Sequence, residues 1–321
     1  FYYGNYAKKL ISKKKAFPLA GNKNIAFDQL EIFQRKGKKT VKSKFYPINK
    51  INKLDKKKLI VIKNDLKNII LIRKKLFNFD FKGPKIMGIL NVTPDSFSDG
   101  GLFLNKQKAF NQANLMLKNG ASIIDIGGES TRPGSVTINE KVEWKRIKSI
   151  IIKLKKKFPK TTLSLDSRKS YVIKKGIENK INLINDVSGL NFDKNTFNVI
   201  NSNKIPFILH HMQGTPNTMQ KNPKYNDVLL DIFDFFEKKI NFCLKKKYKK
   251  NLIIIDPGIG FGKNLKHNLK IMSKISIFHS LGCPILIGTS RKRFIEHIVT
   301  KFDTIDRTGG TLASVLYGLS Q

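Results

Sequence analysis

The sequence predicts an α/β protein, a (β/α)8 TIM barrel with seven of its eight strands in this chain, preceded by a small N-terminal extension. Three observations predict it. A short apolar burst followed by a polar, glycine-rich motif recurs seven times between Ile86 and Lys292. Segments of helical periodicity separate the bursts, the pattern of parallel βαβ units. Chemistry-bearing residues follow nearly every burst. A barrel gathers its site in that way, at the C-terminal ends of all its strands, whereas an open doubly wound sheet concentrates it at one switch point.

Residues 1–80 stand apart as an accessory extension. They are Lys-rich and carry short apolar stretches, Phe17–Ala20, Ile25–Phe33, Leu59–Ile62 and Ile69–Ile72. Phe17-Pro18-Leu19-Ala20-Gly21 reads as a turn beside a short strand. The segment is either a set of short strands and helices or a poorly ordered extension.

The barrel is expected over residues 81–321. Ile86–Leu90 runs into Asn91–Gly101, and Ile123–Ile126 into Gly127–Ser135. Leu163–Leu165 leads to Asp166–Ser170, Ile181–Ile184 to Asn185–Leu190, and Phe207–Leu209 to His210–Pro216. Leu252–Ile255 leads to Asp256–Asn264, and Pro284–Ile287 to Gly288–Phe294. Bursts this short and apolar fit strands buried on both faces. Between them, Lys106–Lys118 places Ala109, Ala113 and Leu117 on one face, with Gly120 as a stop. Glu140–Phe158 repeats Val142, Ile147, Ile150, Ile151 and Leu154 against a Lys-rich outer face. Asp227–Leu244 and Leu265–Phe278 behave similarly.

The net charge of +39 raises the question of nucleic acid. The basic residues are mostly Lys and are spread along the chain, as in Lys13–Lys15, Lys56–Lys58, Lys155–Lys157 and Lys245–Lys247. A phosphate-reading patch would cluster and favour Arg, so no nucleic-acid partner is expected. The field still favours small anionic ligands. No apolar run reaches the roughly 18 residues of a membrane helix. Cys243 and Cys283 are far apart and not in a metal-ligand spacing, consistent with a cytoplasmic, reducing setting. His210 and His211 have no zinc-type spacing.

Asn91–Gly101 holds a carboxamide, two aspartates, hydroxyl residues, Phe97 and a closing Gly-Gly, a composition suited to a mobile lid. Ile86–Gly101 and Ile123–Ser135 resemble the two signatures of the dihydropteroate synthases, in the pterin-binding barrel family. The resemblance continues through every later motif and covers roughly residues 84–318. It implies a transferase of folate biosynthesis, the target of sulfonamide drugs. The enzyme joins a hydroxymethyl-dihydropterin diphosphate to p-aminobenzoate and releases pyrophosphate by a dissociative substitution.

Residue by residue, the resemblance implies a pterin pocket of Asp166, Asn185, Met212, Asp256, Phe261 and Lys292. A buried carboxylate such as Asp256 suits the N–H-rich edge of the ring; read alone, Asp256 also fits a cap on the Gly-rich turn that follows. Lys292 meets the carbonyl side, and Ser290 lies near the p-aminobenzoate carboxylate. Asn91 is the implied Mg²⁺ contact, because one neutral oxygen suits an ion that keeps its waters and leans on substrate phosphates. Thr131 and Arg132 offer donors to the diphosphate, though Arg132 also fits a surface salt bridge. Asp95 is expected to stabilise the developing cation. Phe97 and Pro133 are expected to wall the p-aminobenzoate pocket. A homodimer is implied as well.

The eighth strand of the family, with an Arg and a His for the diphosphate, has no counterpart after Thr308–Gln321. The expectation is a chain incomplete at both ends, with its activity impaired for want of that strand. Two rivals remain at this stage. One is a methyltetrahydrofolate-binding methyltransferase domain, against which the intact loop 127–135 and Ser290-Arg291-Lys292 argue. The other is a non-catalytic pterin- or RNA-binding protein.

Overall fold

The computed structural model describes residues 1–37, 40–76, 79–93, 102–131, 134–298 and 307–321. They form two compact units, one of Phe1–Lys74, Lys224–Lys239 and Lys263–Gln321, the other of Lys75–Pro223 and Ile240–Gly262.

In the first unit, residues 1–74 contribute regular elements. β1 (Tyr2–Tyr3) and β2 (Phe17–Leu19) pair antiparallel with β3 (Asn22–Phe27), and α1 (Gly4–Ser12) follows β1. β4 (Gln29–Lys36) and β5 (Thr40–Pro47) form an antiparallel hairpin. Asp55 caps α2 (Lys56–Ile70) by accepting from the Lys58 N–H at 3.0 Å. Ile62 and Leu66, one turn apart on α2, close a small core with Leu19, Phe27 and Ile51.

The second unit carries the wall of the barrel. β6 (Met87–Asn91), β7 (Ile123–Gly127), β8 (Thr162–Asp166), β9 (Leu183–Asp186), β10 (Phe207–His210) and β11 (Ile253–Asp256) form one parallel sheet. Their spatial order is their chain order. A doubly wound sheet reverses direction partway, and no reversal occurs here. The helices that return the chain within this unit are α3 (Leu102–Lys118), α4 (Glu140–Lys157), α5 (Ser170–Glu178) and α6 (Thr196–Asn203); α7 (Val228–Lys245) has residues 228–239 in the first unit and 240–245 in the second. α3 buries Ala109 and Ala113 as its spacing predicts.

α4 differs from expectation by one position. Ile147, Ile150, Ile151 and Leu154 are buried, but Val142 is 46% exposed and Glu143 is fully buried. Glu143 has an ion-pair partner inside the unit, Lys169, which outweighs the apolar pull of Val142.

Two further differences fall in the first unit. α8 (Leu265–Ser273) stops short of Phe278, and a 3-10 turn over Ile275–Leu281 continues it. Pro284–Ile287 is not among the strands, so six of the seven predicted strands are present among the described residues. This run opens on Pro284, which has no N–H to give a ladder. α9 (Arg293–Ile298) and α10 (Thr308–Leu319) end the chain. No described helix is long and apolar enough to cross a membrane.

Candidate active site

The parallel strands run past their apolar bursts, so the first polar residue of a motif is often held by the ladder. Asn91, Gly127, Asp166 and Asp256 each end a strand. Asn91 pairs in register with Gly127, Gly127 with Asp166, and Asp166 with Asn185. Three strand ends and the penultimate residue of β9 thereby present one row, at the barrel face where chemistry is expected. Gly127 leaves space in that row. A Cβ there would lie 3.3 Å from Asp166 Oδ2 and 3.4 Å from Asn91 Oδ1, in the hollow that both oxygens border.

One layer down, Asp125 pairs with Ser164, and its Oδ2 accepts from the Asn185 side-chain N–H at 2.8 Å. Burial pushes the Asp125 carboxyl above its ordinary value. Burial raises Asp166 well above the usual carboxylate range, and the charges of Asp125, Glu143, Asp186 and Glu129 add to it. Asp186 is spent locally, accepting from Ser188 and from the Leu190 N–H.

Farther along the sheet, His210 pairs in register with Asp256, and the His211 N–H donates to the Asp256 carbonyl at 2.9 Å. Asp256 Oδ1 accepts from the Gly258 N–H at 2.7 Å, the capping role its turn motif allowed. The His210 ring lies 2.9 Å from the Val187 carbonyl and meets the Phe261 ring edge-on, centroids 4.7 Å apart. Gly258 has φ +68°, and a Cβ there would fall 2.0 Å from the His211 carbonyl oxygen. The loops bearing Met212 and Phe261 are therefore locked together, and both side chains are half-buried.

Thr131 is half-buried on the loop after β7. Ser290 is exposed and Lys292 half-buried, and both belong to the first unit. Asp95, Phe97, Arg132 and Pro133 lie outside the described residues. Residue-level reading missed Asp125 altogether. Its signal was a carboxylate inside an apolar burst, an expensive placement without a purpose.

No group of three or more His, Cys, Asp or Glu residues among those described forms a metal cage. The hollow at Gly127, bordered by the oxygens of Asn91 and Asp166, still suits an oxygen-seeking ion that keeps water and substrate ligands. The row joins one carboxylate and two carboxamides, with the Asp125 carboxylate a layer below, a surface for a ligand rich in N–H donors.

Comparison with known proteins fits this geometry. Residues 87–321 match the pterin binding enzyme family. Dihydropteroate synthase of Escherichia coli is 37% identical over 244 residues, 76% of this chain and 86% of its own length. The Yersinia pestis dihydropteroate synthase, solved with a sulfonamide drug, superposes with a TM-score of 0.70 at 39% identity, covering 75% of this chain and 86% of that one. The Xanthomonas albilineans dihydropteroate synthase, solved with 4-aminobenzoic acid, gives a TM-score of 0.70 at 32% identity over the same shares.

Proposed function

We propose that this chain, which belongs to the pterin-binding enzyme family, reads its pterin along the row of strand ends and holds the diphosphate on the loop after β7. Its activity is that of a dihydropteroate synthase, a transferase of folate biosynthesis. It condenses a hydroxymethyl-dihydropterin diphosphate with p-aminobenzoate to give dihydropteroate and pyrophosphate. The observation that carries the site reading is the in-register row Asn91–Gly127–Asp166–Asn185, backed by Asp125.

In this reading the carboxylates of Asp166 and Asp256 accept from the guanidine-like edge of the ring, with Asn185 beside them. Lys292 donates to the carbonyl edge. Met212 and Phe261 pack on the flat faces. Thr131 and Arg132 donate to the diphosphate. Asn91 would hold a Mg²⁺ ion, which would supply neutralisation of the leaving charge. The bond between the methylene carbon and the diphosphate oxygen breaks, and pyrophosphate departs with the electron pair. Asp95 stabilises the methylene-pterin cation that remains. The p-aminobenzoate nitrogen, held between Phe97 and Pro133 with Ser290 at its carboxylate, forms the new C–N bond and sheds a proton. No side chain is needed as a nucleophile, and positioning supplies most of the rate. The chain works as a homodimer in the cytoplasm, where the buried thiols Cys243 and Cys283 stay reduced.

Pyrophosphate release on mixing the two substrates tests the reading. Release that requires both supports it. Release without p-aminobenzoate, or methyl transfer from a methylated folate, overturns it.

A further inference from the structure

We infer that Glu129, Glu143, Arg168 and Lys169 form a buried charge network that positions the loop after β7 relative to the end of β8. The inference rests on the reading of that loop as the diphosphate holder. All four side chains are buried. Glu129 Oε2 accepts from Arg168 Nε at 3.0 Å and Oε1 from Lys169 Nζ at 2.8 Å. Lys169 Nζ also donates to Glu143 Oε2 at 2.6 Å and to the Ile138 carbonyl at 2.8 Å. Two acids and two bases balance within the set.

Each bond in the network ends on the loop, on its flanking helix, or on the segment that starts at Asp166. Glu129 Oε1 accepts from the Ile138 N–H at 3.0 Å, which closes the loop at its base. Arg168 Nη2 donates to Thr137 Oγ1 at 2.8 Å, and Arg146 Nη1 to the Gly128 carbonyl at 2.9 Å. Ser135 Oγ donates to the Ser130 carbonyl at 2.6 Å, and the Gly134 N–H to the Pro216 carbonyl at 3.2 Å. Thr131 therefore sits on a loop fastened at both ends. Arg168 and Lys169 follow Asp166 by two and three residues, so the same cations hold the strand end that faces the ring.

Buried ion pairs are poor sources of stability, since apolar residues of similar volume often do as well or better. What this set supplies is a fixed spacing between the ring-reading strand end and the anion-holding loop. Glu129 and Lys169 are thus positioning residues for the diphosphate, acting through Thr131.

Titration calorimetry with two ligands tests this, using hydroxymethylpterin without phosphates and the pterin diphosphate with Mg²⁺. Glu129→Gln should weaken the diphosphate ligand by about ten-fold or more and the bare pterin by less than about two-fold. Lys169→Arg, which keeps the charge, should retain both within about three-fold. Parallel weakening of both ligands, or no weakening of either, would overturn the inference. If circular dichroism shows Glu129→Gln unfolded, Thr137→Val, at the rim of the network, should give the same split at about two- to three-fold, and its absence there overturns the inference too. A wild type that binds neither ligand refutes the site reading itself, a result distinct from a lost split.

Discussion

Asn185 reaches across β8 to donate its side-chain N–H to Asp125 on β7 at 2.8 Å. On the intervening β8, Asp166 stands in register with Asn185 and Ser164 with Asp125. The bond to Asp125 holds the Asn185 carboxamide in one orientation. Asp125→Ala should raise the pterin KM about ten-fold, the value of one buried hydrogen bond to an ionisable group, and change the p-aminobenzoate KM less than about two-fold. Steady-state kinetics with each substrate varied in turn checks the split.

Asp166 links stability to function with opposite signs. Its folded pKa is raised, first by burial and then by the Asp125 charge. Between the unfolded and folded values the folded state binds more protons, so stability falls as pH rises through the folded value. Asp166→Asn should therefore melt higher than wild type at pH 8, as followed by thermal denaturation. The same variant should lose about 2 kcal/mol of pterin affinity, roughly 30-fold, for want of a charge-assisted acceptor.

Gly127 and Gly258 should respond to alanine in different ways. At Gly127 the added methyl enters the hollow between Asp166 Oδ2 and Asn91 Oδ1. The expected result is a loss of about ten-fold or more in kcat/KM with little change in Tm. At Gly258 the added Cβ would lie 2.0 Å from the His211 carbonyl oxygen, at φ +68°. The expected cost is about 3 kcal/mol or more of folding stability, read by urea denaturation.

His279 gives the first unit an acid limit. Burial is the main cause that pulls its pKa down to about 4, and the nearby Arg73 guanidinium adds to it. Its folded pKa lies below the unfolded 6.5, so the stability that depends on neutral His279 is complete above about pH 6.5 and drains away as pH falls toward 4. The limit of this contribution is roughly 3 kcal/mol. His279→Gln should flatten the acid limb of a stability–pH profile. An unchanged limb assigns the loss to other groups.

Chelation should abolish turnover, and added Mg²⁺ should restore it. Asn91→Ala should raise the Mg²⁺ concentration for half-maximal rate about five-fold or more, because one inner oxygen is lost from a site with few protein ligands. Rate measurements across a Mg²⁺ series decide it.

The strand ends were legible because each apolar burst breaks at a polar residue. Asn91, Asp166, Asn185 and Asp256 stand at those breaks, and the ladder registers place the first three in one row. Residues buried inside the elements were not legible. Asp125 hides within an apolar burst, and Glu143 takes the inward place that helical spacing assigned to Val142. Both are tolerated through partners distant in sequence, Asn185 and Lys169, which periodicity does not reveal. Pro284–Ile287 has the composition of a strand but not the ladder, which composition alone does not fix. The ordered extension, with its core of Leu19, Phe27, Ile51, Ile62 and Leu66, was one of two open readings.

The most direct test of the account is calorimetric titration of hydroxymethylpterin into the full chain and into its Asp166→Asn and Asp256→Asn variants. One site per chain is expected in the wild type, with a loss of about 30-fold or more in each folded variant. Wild-type affinity in both variants would contradict Asp166 and Asp256, at the ends of β8 and β11, as the pterin-reading carboxylates.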